Sequence, residues 1–303
     1  AEFNPKAVLE NGGFRRYNND EIFGSFTGEL AITRDLKLRG VFGGTVRSNH
    51  AYARRMELSF FPGGRYGADR EVNDDNYKSL LTNTQLIAEY KKKFSAHDVG
   101  LLVGGSNESF TSESNSVRKT LTDPVFGVPT TGTVVDPGSR NTNQGTSESS
   151  LNSVFGRANY SFNDKYFAEF SFRYDGSSNF PEAGRWGFFP SVSAAWRLSE
   201  ESFLDNFKAN VGELKLRASY GVLGNQNVSP YQYQTTYFNY TNAYGFNNEI
   251  VAGSGFTLGN PEITWEKAAT LNVGLDAELL RRRLFVSFDV FDKVTRDILV
   301  ARD

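Results

Sequence analysis

The run from Phe162 to Leu198 (FNDKYFAEFSFRYDGSSNFPEAGRWGFFPSVSAAWRL) constrains the fold more than any other. From Tyr166, one side carries Tyr166, Ala168, Phe170, Phe172 and Tyr174, and the other carries Phe167, Glu169, Ser171, Arg173 and Asp175. After a loop, Phe188, Pro190, Val192, Ala194, Trp196 and Leu198 share one side, against Ser191, Ser193 and Arg197. Strand side chains alternate between faces with a period of two, so the pattern predicts two antiparallel strands with one apolar and one polar face. Trp186 and Trp196 fall on the same side. At about 3.3 Å per residue they stand ~33 Å apart along the strand. In a membrane barrel with strands tilted by about 40°, this projects to roughly 25 Å, the height of the apolar band between aromatic girdles. The other reading is a soluble antiparallel sheet with two core tryptophans. Against it stands the length of the alternation, since globular strands average about five or six residues.

The rest of the chain follows the same plan. Residues 1–21 are polar and read as irregular. Ile22 to Ile32 alternates, Thr33-Arg34-Asp35 turns, and Leu36, Leu38, Gly40 and Phe42 continue an apolar side. A long polar segment, 46–79, is expected to be a loop with a strand extension near Met56 to Phe61. Leu80 to Tyr90 alternates weakly, Lys91-Lys92-Lys93 is expected to turn, and His97 starts the return. Residues 106–150, rich in Ser, Thr, Gly and Asn, read as a large mobile loop. Leu151 to Phe162 is a strand, and Asn163-Asp164-Lys165 turns into Tyr166. Ser199 to Phe207 suggests one or two helical turns. Leu214 to Val222 alternates, 224–264 is a third long loop, Trp265 opens a strand, and Arg281-Arg282-Arg283 turns into the strand from Leu284.

This makes about ten long strands whose connections run alternately short and long. Outer-membrane barrels place short turns on the periplasmic side and long loops outside. A β-sandwich has no reason to sort its loops that way. The connection at 199–212 is the one that is long for its side.

Composition removes other classes. The net charge of −2 implies no general attraction to nucleic acid. Mean hydropathy is −0.46, and no run approaches the ~20 apolar residues of a membrane helix. Neither fact excludes a barrel, where only alternate residues meet lipid. Cysteine is absent, so disulfides and thiolate metal sites drop out. The segment AEFNPKAV lacks the basic start and apolar core of a signal peptide. No enzyme is expected. The histidines are His50 and His97, without an HExxH or GxSxG motif. Asp175-Gly176-Ser177-Ser178-Asn179 lacks the ligand pattern of an EF-hand and reads as a loop cap. Gly43-Gly44 and Gly104-Gly105 precede no helix that would cradle phosphate. No metal and no cofactor are expected.

Four stretches in order, RYDGSSNFPEAGRWGFFPSVSAAWRLSEESFL (173–204), LKLRASYGVLGNQ (214–226), NPEITWEKAATLNVGLD (260–276) and RRRLFVSFDVFDKVTRDIL (281–299), resemble the barrel of SusC/RagA-type TonB-dependent transporters of Bacteroidetes outer membranes. Residues 1–150 fit the barrel pattern but carry no such motif. The resemblance implies an all-β, antiparallel transmembrane barrel of about 22 strands with a plugged lumen. It implies a place in the Gram-negative outer membrane, in contact with its lipid, and import of large nutrients, oligosaccharides or peptides. The implied partners are a SusD-like surface lipoprotein and the TonB–ExbB–ExbD complex. No plug, TonB box or N-terminal extension is legible, so 1–303 is expected to be part of a barrel domain, the plug and N-terminal domains lying outside it. The alternative is a self-contained small outer-membrane barrel acting as adhesin or passive pore. A secreted carbohydrate-binding β-protein is a third reading.

On this plan Glu169, Arg173, Arg197, Lys215, Arg217 and Asp276 face the lumen, where they line a substrate path or pair with plug residues. Tyr231, Tyr233, Tyr237, Tyr240 and Tyr244 fall in a long loop, where tyrosines stack on sugars, meet a partner or pack the loop on itself. Trp186, Trp196 and Trp265 are expected to be girdle aromatics.

Overall fold

The computed structural model describes residues 5–60, 64–66, 70–120, 141–246, 249–281 and 283–300. A short helix, α1 (Pro5–Asn11), precedes β1 (Gly13–Ala31) and β2 (Leu36–Arg55). A hairpin of β3 (Leu58–Phe60) and β4 (Gly64–Tyr66) follows, then β5 (Glu71–Phe94), β6 (His97–Thr120), β7 (Asn141–Phe162), β8 (Tyr166–Ser177) and β9 (Trp186–Arg197). After two 3-10 turns come α2 (Asp205–Asn210), β10 (Gly212–Asn225), β11 (Thr236–Phe246), β12 (Glu249–Thr257), β13 (Glu266–Leu279) and β14 (Leu284–Arg296). Ten strands form one antiparallel sheet in the order β1-β2-β5-β6-β7-β8-β9-β10-β13-β14. The pairs β3–β4 and β11–β12 stand as separate hairpins.

The expected short connections hold where turn chemistry is explicit. Asn163 and Asp164 both have φ near +54°, which their short polar side chains tolerate, and two such residues match the twist of a tight hairpin. Leu280 and Arg281 adopt the same region between β13 and β14. Arg282 of the expected Arg281–Arg283 turn lies outside the described residues. The 199–212 connection does hold helical turns, ending in α2.

Several expected loops are strand instead. β1 begins at Gly13, inside the stretch read as irregular. β2 and β5 consume most of 46–79, and β6 and β7 extend to Thr120 and back from Asn141. Of the loop expected over 106–150, residues 121–140 lie outside the described residues. Lys91-Lys92-Lys93 is strand, and the turn is at Ser95, with φ 52°. The lysines do not break β5 because each is neutralised: Lys91 by Glu89 at 2.6 Å, Lys92 by Asp35 at 3.6 Å, Lys93 by Asp164 at 3.9 Å.

By internal contacts the chain divides into two compact units. One comprises 1–25, 43–82 and 109–148. Its strands are tied by polar cross-strand pairs. Arg47 meets Glu21 at 2.6 Å, His50 Nε2 meets Asp74 at 2.9 Å, Ser116 Oγ donates to Asp75 at 2.5 Å, and Arg118 meets Glu71 at 2.7 Å. The other comprises 26–42, 83–108 and 149–303, and it carries every candidate site residue.

Candidate functional site

Within the second unit, register decides which side chains share a face. Directly paired residues of antiparallel strands point the same way. Phe162, Tyr166, Trp196, Leu216, Leu275 and Phe288 form one such row across six strands. Tyr160, Ala168, Ala194, Ala218, Val273 and Val290 form the next, and Ala158, Phe170, Val192, Tyr220, Leu271 and Asp292 a third. All but Asp292 are apolar or aromatic. Most of the large side chains among them are exposed, Phe288 and Val290 most of all. A contiguous apolar face of this extent marks contact with something other than water.

The opposite face reads differently in the intervening rows. Asn159, Glu169, Ser193, Ser219, Asn272 and Phe291 form one. Ser161, Phe167, Ala195, Arg217, Gly274 and Asp289 form a second, and Arg157, Ser171, Ser191, Gly221, Thr270 and Lys293 a third. A slip of one residue in any strand would exchange the faces, so burial of either one enforces the register.

The four charged candidates, Glu169, Arg173, Arg197 and Arg217, all fall on this polar face, but they do not converge on one point. Arg173 is held between β8 and β7: it donates to both oxygens of Asp175 at 3.0 and 3.1 Å and to Ser153 Oγ at 2.9 Å. Its guanidinium also lies over the Phe155 ring. Arg197 sits at the short-turn end, over the Phe167 ring, and donates to the Asp164 carbonyl at 3.3 Å. Lys215 approaches the same ring from β10. Arg217 joins three strands, donating to Asp276 at 3.1 Å and to Asp289 at 2.7 Å. Ser287 Oγ completes that cluster by donating to Asp276 at 2.8 Å.

Glu169 is the carboxylate of the polar rows that has no ion-pair partner among the described residues. It borders a groove of about 720 Å³ together with Asn159, Ser193, Ser219, Lys215 and Arg217. Such a wall offers amide, hydroxyl, carboxylate and cationic groups to a polar molecule or chain segment. The hydroxyl and amide members of the groove were legible as the polar side of each strand. That they align into rows follows only from the register.

The tyrosines do not make one surface. Tyr231 and Tyr233 precede the hairpin, in turn residues. Tyr237 and Tyr240 lie in β11, which, with β12, replaces part of the loop expected over 224–264. They pair with Phe256 and Gly253 respectively and, three residues apart, point to opposite faces of the hairpin. Each has its own ring partner: Tyr237 with Phe256 at 6.2 Å, Tyr240 edge-on to Phe238 at 5.1 Å.

The tryptophans separate into two kinds. Trp186 opens β9, is 47% exposed and stacks on Tyr174 at 4.9 Å. Its ring covers Gly176, where a Cβ would come within 2.7 Å of it. Trp196 closes the same strand and stacks on Tyr166 at 6.2 Å. From Trp196 the ring contacts run on through Tyr166, Phe162 and His97 to Phe94, a band across five strands. Trp265 is not a girdle residue. It is 3% exposed, wedged between Phe180 and Phe189 at 5.2 Å from each, with Nε1 donating to the Arg185 carbonyl at 2.9 Å. A ring enclosed on all sides cannot face a lipid interface. It forms the small core that ties the β8–β9 connection to the start of β13.

Residues 3–303 match the family described as TonB dependent receptor-like, beta-barrel. TonB-dependent receptor P3 of Formosa agariphila is 35% identical over 273 residues, which span 88% of this chain and 26% of that protein. TonB-dependent receptor SusC of Bacteroides thetaiotaomicron is 30% identical over 305 residues, 98% of this chain and 29% of that protein. The structure of the RagAB peptide transporter shares the fold with a TM-score of 0.81 at 22% identity, over 94% of this chain and 31% of that one. The chain thus spans between a quarter and a third of the length of these three proteins.

Proposed function

The chain belongs to the TonB-dependent receptor β-barrel family, of the SusC/RagA type, and from that premise we propose that it is a section of wall in an outer-membrane nutrient importer. The apolar rows meet lipid and the polar rows line the lumen. The whole of 1–303 is barrel, and the plug and N-terminal domains belong to other parts of the polypeptide. β1 and β14, the two ends of the sheet, pair with further strands of the same barrel, because an unpaired strand edge is not tolerated in hydrocarbon. The cargo is a large nutrient, an oligosaccharide or a peptide. A SusD-like lipoprotein covers the long-loop end, and TonB–ExbB–ExbD drives import through the part of the transporter outside this chain.

One observation carries the reading: apolar and polar rows alternate across six neighbouring strands of the sheet, with Asp292 the one charged residue in the three apolar rows and Phe167, Ala195 and Phe291 the apolar exceptions in the polar ones. A soluble sheet would have to cover that apolar face with a second layer, and the described residues contain no such layer. The polar groove supports an import wall, since its amides and hydroxyls exchange hydrogen bonds with a passing polyhydroxylic or peptidic cargo at little net cost. Glu169 and Arg217 bear on which cargo or plug segment fits there.

The test has two parts. The intact polypeptide, extracted from its native outer membrane, is expected to weigh several times as much as these 303 residues. A strain lacking it is expected to lose uptake of one class of large oligosaccharide or peptide while small solutes still enter. A polypeptide of only this length would favour the small adhesin or pore, and unaltered uptake of all large nutrients would remove the importer.

A further inference from the structure

The connection between β9 and β10 is too long and too well built for a turn on the short-loop side. Ser199 is fully buried and donates to the Leu214 carbonyl at 3.5 Å. Glu201 N donates to the Leu198 carbonyl at 3.1 Å, Leu204 N to that of Glu201 at 2.9 Å, and Val211 N to that of Phe207 at 2.7 Å. Leu280 N, from the neighbouring β13–β14 turn, donates to the Val211 carbonyl at 3.0 Å. The segment is therefore held in one conformation at both ends.

Its side chains divide by helical spacing. Phe203, Phe207 and Val211 recur every fourth residue, with Leu204 beside them, while Asp205, Asn206 and Lys208 lie between. Lys208 pairs with Glu200 at 2.6 Å, so the polar side satisfies part of its own charge. Leu204 and Phe207 are half-buried, but Phe203 is 70% exposed and Val211 39%. In water that exposure has no return.

The segment is also fastened to the aromatic band. Glu201 accepts a hydrogen bond from the Tyr166 hydroxyl at 2.5 Å and one from Trp196 Nε1 at 3.1 Å, and it pairs with Lys165 at 3.2 Å. Tyr166 and Trp196 belong to the apolar rows, so Glu201 reaches around to the side of the sheet that faces lipid. Phe203 follows two residues later.

We propose that residues 198–211 form an interfacial anchor, with Phe203 seated in the headgroup–acyl boundary of the phospholipid leaflet at the short-turn end. The anchor rests on the reading that the apolar rows meet lipid, and it extends the Trp196–Tyr166 band onto the connection. Amphipathic segments lie in that boundary with their apolar side a few ångströms deep, and aromatic rings favour it. Glu201 fixes the depth by tethering the segment to two rings already at the interface.

The experiment uses the whole transporter in phosphatidylethanolamine–phosphatidylglycerol vesicles, with a nitroxide on a single cysteine at Phe203→Cys, Lys208→Cys or Val192→Cys. Collisions with dissolved oxygen, which favours the bilayer, are compared with those of a water-soluble nickel chelate. The expected result is oxygen preference at 192 and 203 and nickel preference at 208. Nickel preference at 203, or shielding from both reagents by a protein contact, with oxygen preference kept at 192, overturns the anchor and leaves the wall reading standing. Nickel preference at both 192 and 203 removes the lipid-facing reading and the anchor with it.

Discussion

Arg217 on β10 reaches past β13 to Asp289 on β14, with 2.7 Å between Nη2 and Oδ2. It can do so because Gly274 is the residue paired with both. A Cβ at 274 would stand 2.7 Å from Arg217 Cζ and 2.8 Å from Asp289 Oδ1. The glycine is a gap through which the guanidinium lies flat across the sheet. Gly274→Val is expected to displace Arg217 and to destabilise the protein by about 1–3 kcal/mol, the usual range for overpacking. Urea unfolding in lipid vesicles measures it. A variant as stable as the parent would mean that the Arg217–Asp289 contact does not constrain the sheet.

The two kinds of tryptophan are separable by fluorescence. In variants that retain one tryptophan each, lipids brominated along the acyl chain are expected to quench Trp186 and Trp196 strongly and Trp265 weakly. The ring of Trp265 is enclosed by Phe180 and Phe189, which keeps it from the lipid. Trp265→Ala should further cost ~3–5 kcal/mol, as for a large aromatic removed from a packed core. Strong quenching of Trp265 would restore it to the girdle.

Glu201 makes the short-turn end sensitive to acid. The Tyr166 hydroxyl, then Trp196 Nε1 and Lys165, hold its carboxyl below the ordinary glutamate value of 4.5. A carboxyl lowered in the folded state stabilises fully above its unfolded pKa, and that contribution is lost as pH falls through the folded value. The thermal midpoint should therefore drop below about pH 4.5 more steeply in the parent than in Glu201→Gln. Equal slopes in the two proteins would show that the three hydrogen bonds do not bind the charged form preferentially.

What could be read from the chain was set by solvent. In β8 and β9, an apolar face on one side and polar groups on the other impose a period of two, and every residue of the Tyr166–Asp175 run sits on the face its parity gives. The turn at Asn163–Asp164 was equally plain, because those residue types accept positive φ. β5 from Glu71 to Ser79 was not legible: with polar groups on both sides no alternation remains, and the strand is held by ladder hydrogen bonds and pairs such as His50–Asp74. The hairpin carrying Tyr237 and Tyr240 was hidden for a related reason, since its aromatics point to both faces. Trp265 misled because parity gives a face but not a neighbour. Its burial depends on Phe180 and Phe189, which are distant in sequence. The Arg217–Asp289 contact likewise needs the register of three strands before it can be seen.

The central claim is that one face of the sheet meets lipid and the other does not. Val192 and Ser193 are adjacent in β9 and lie on opposite faces, Val192 in an apolar row and Ser193 in a polar one. Folding stability in bilayers is to be measured for Val192→Arg and Ser193→Arg. Val192→Arg is expected to cost roughly 2–4 kcal/mol, the range for an arginine on the lipid face near the bilayer centre. Ser193→Arg is expected to cost far less, because its side chain enters a groove already lined by Glu169 and hydroxyls. Equal costs for the two, or a larger one for Ser193→Arg, would contradict the assignment of faces on which the account rests.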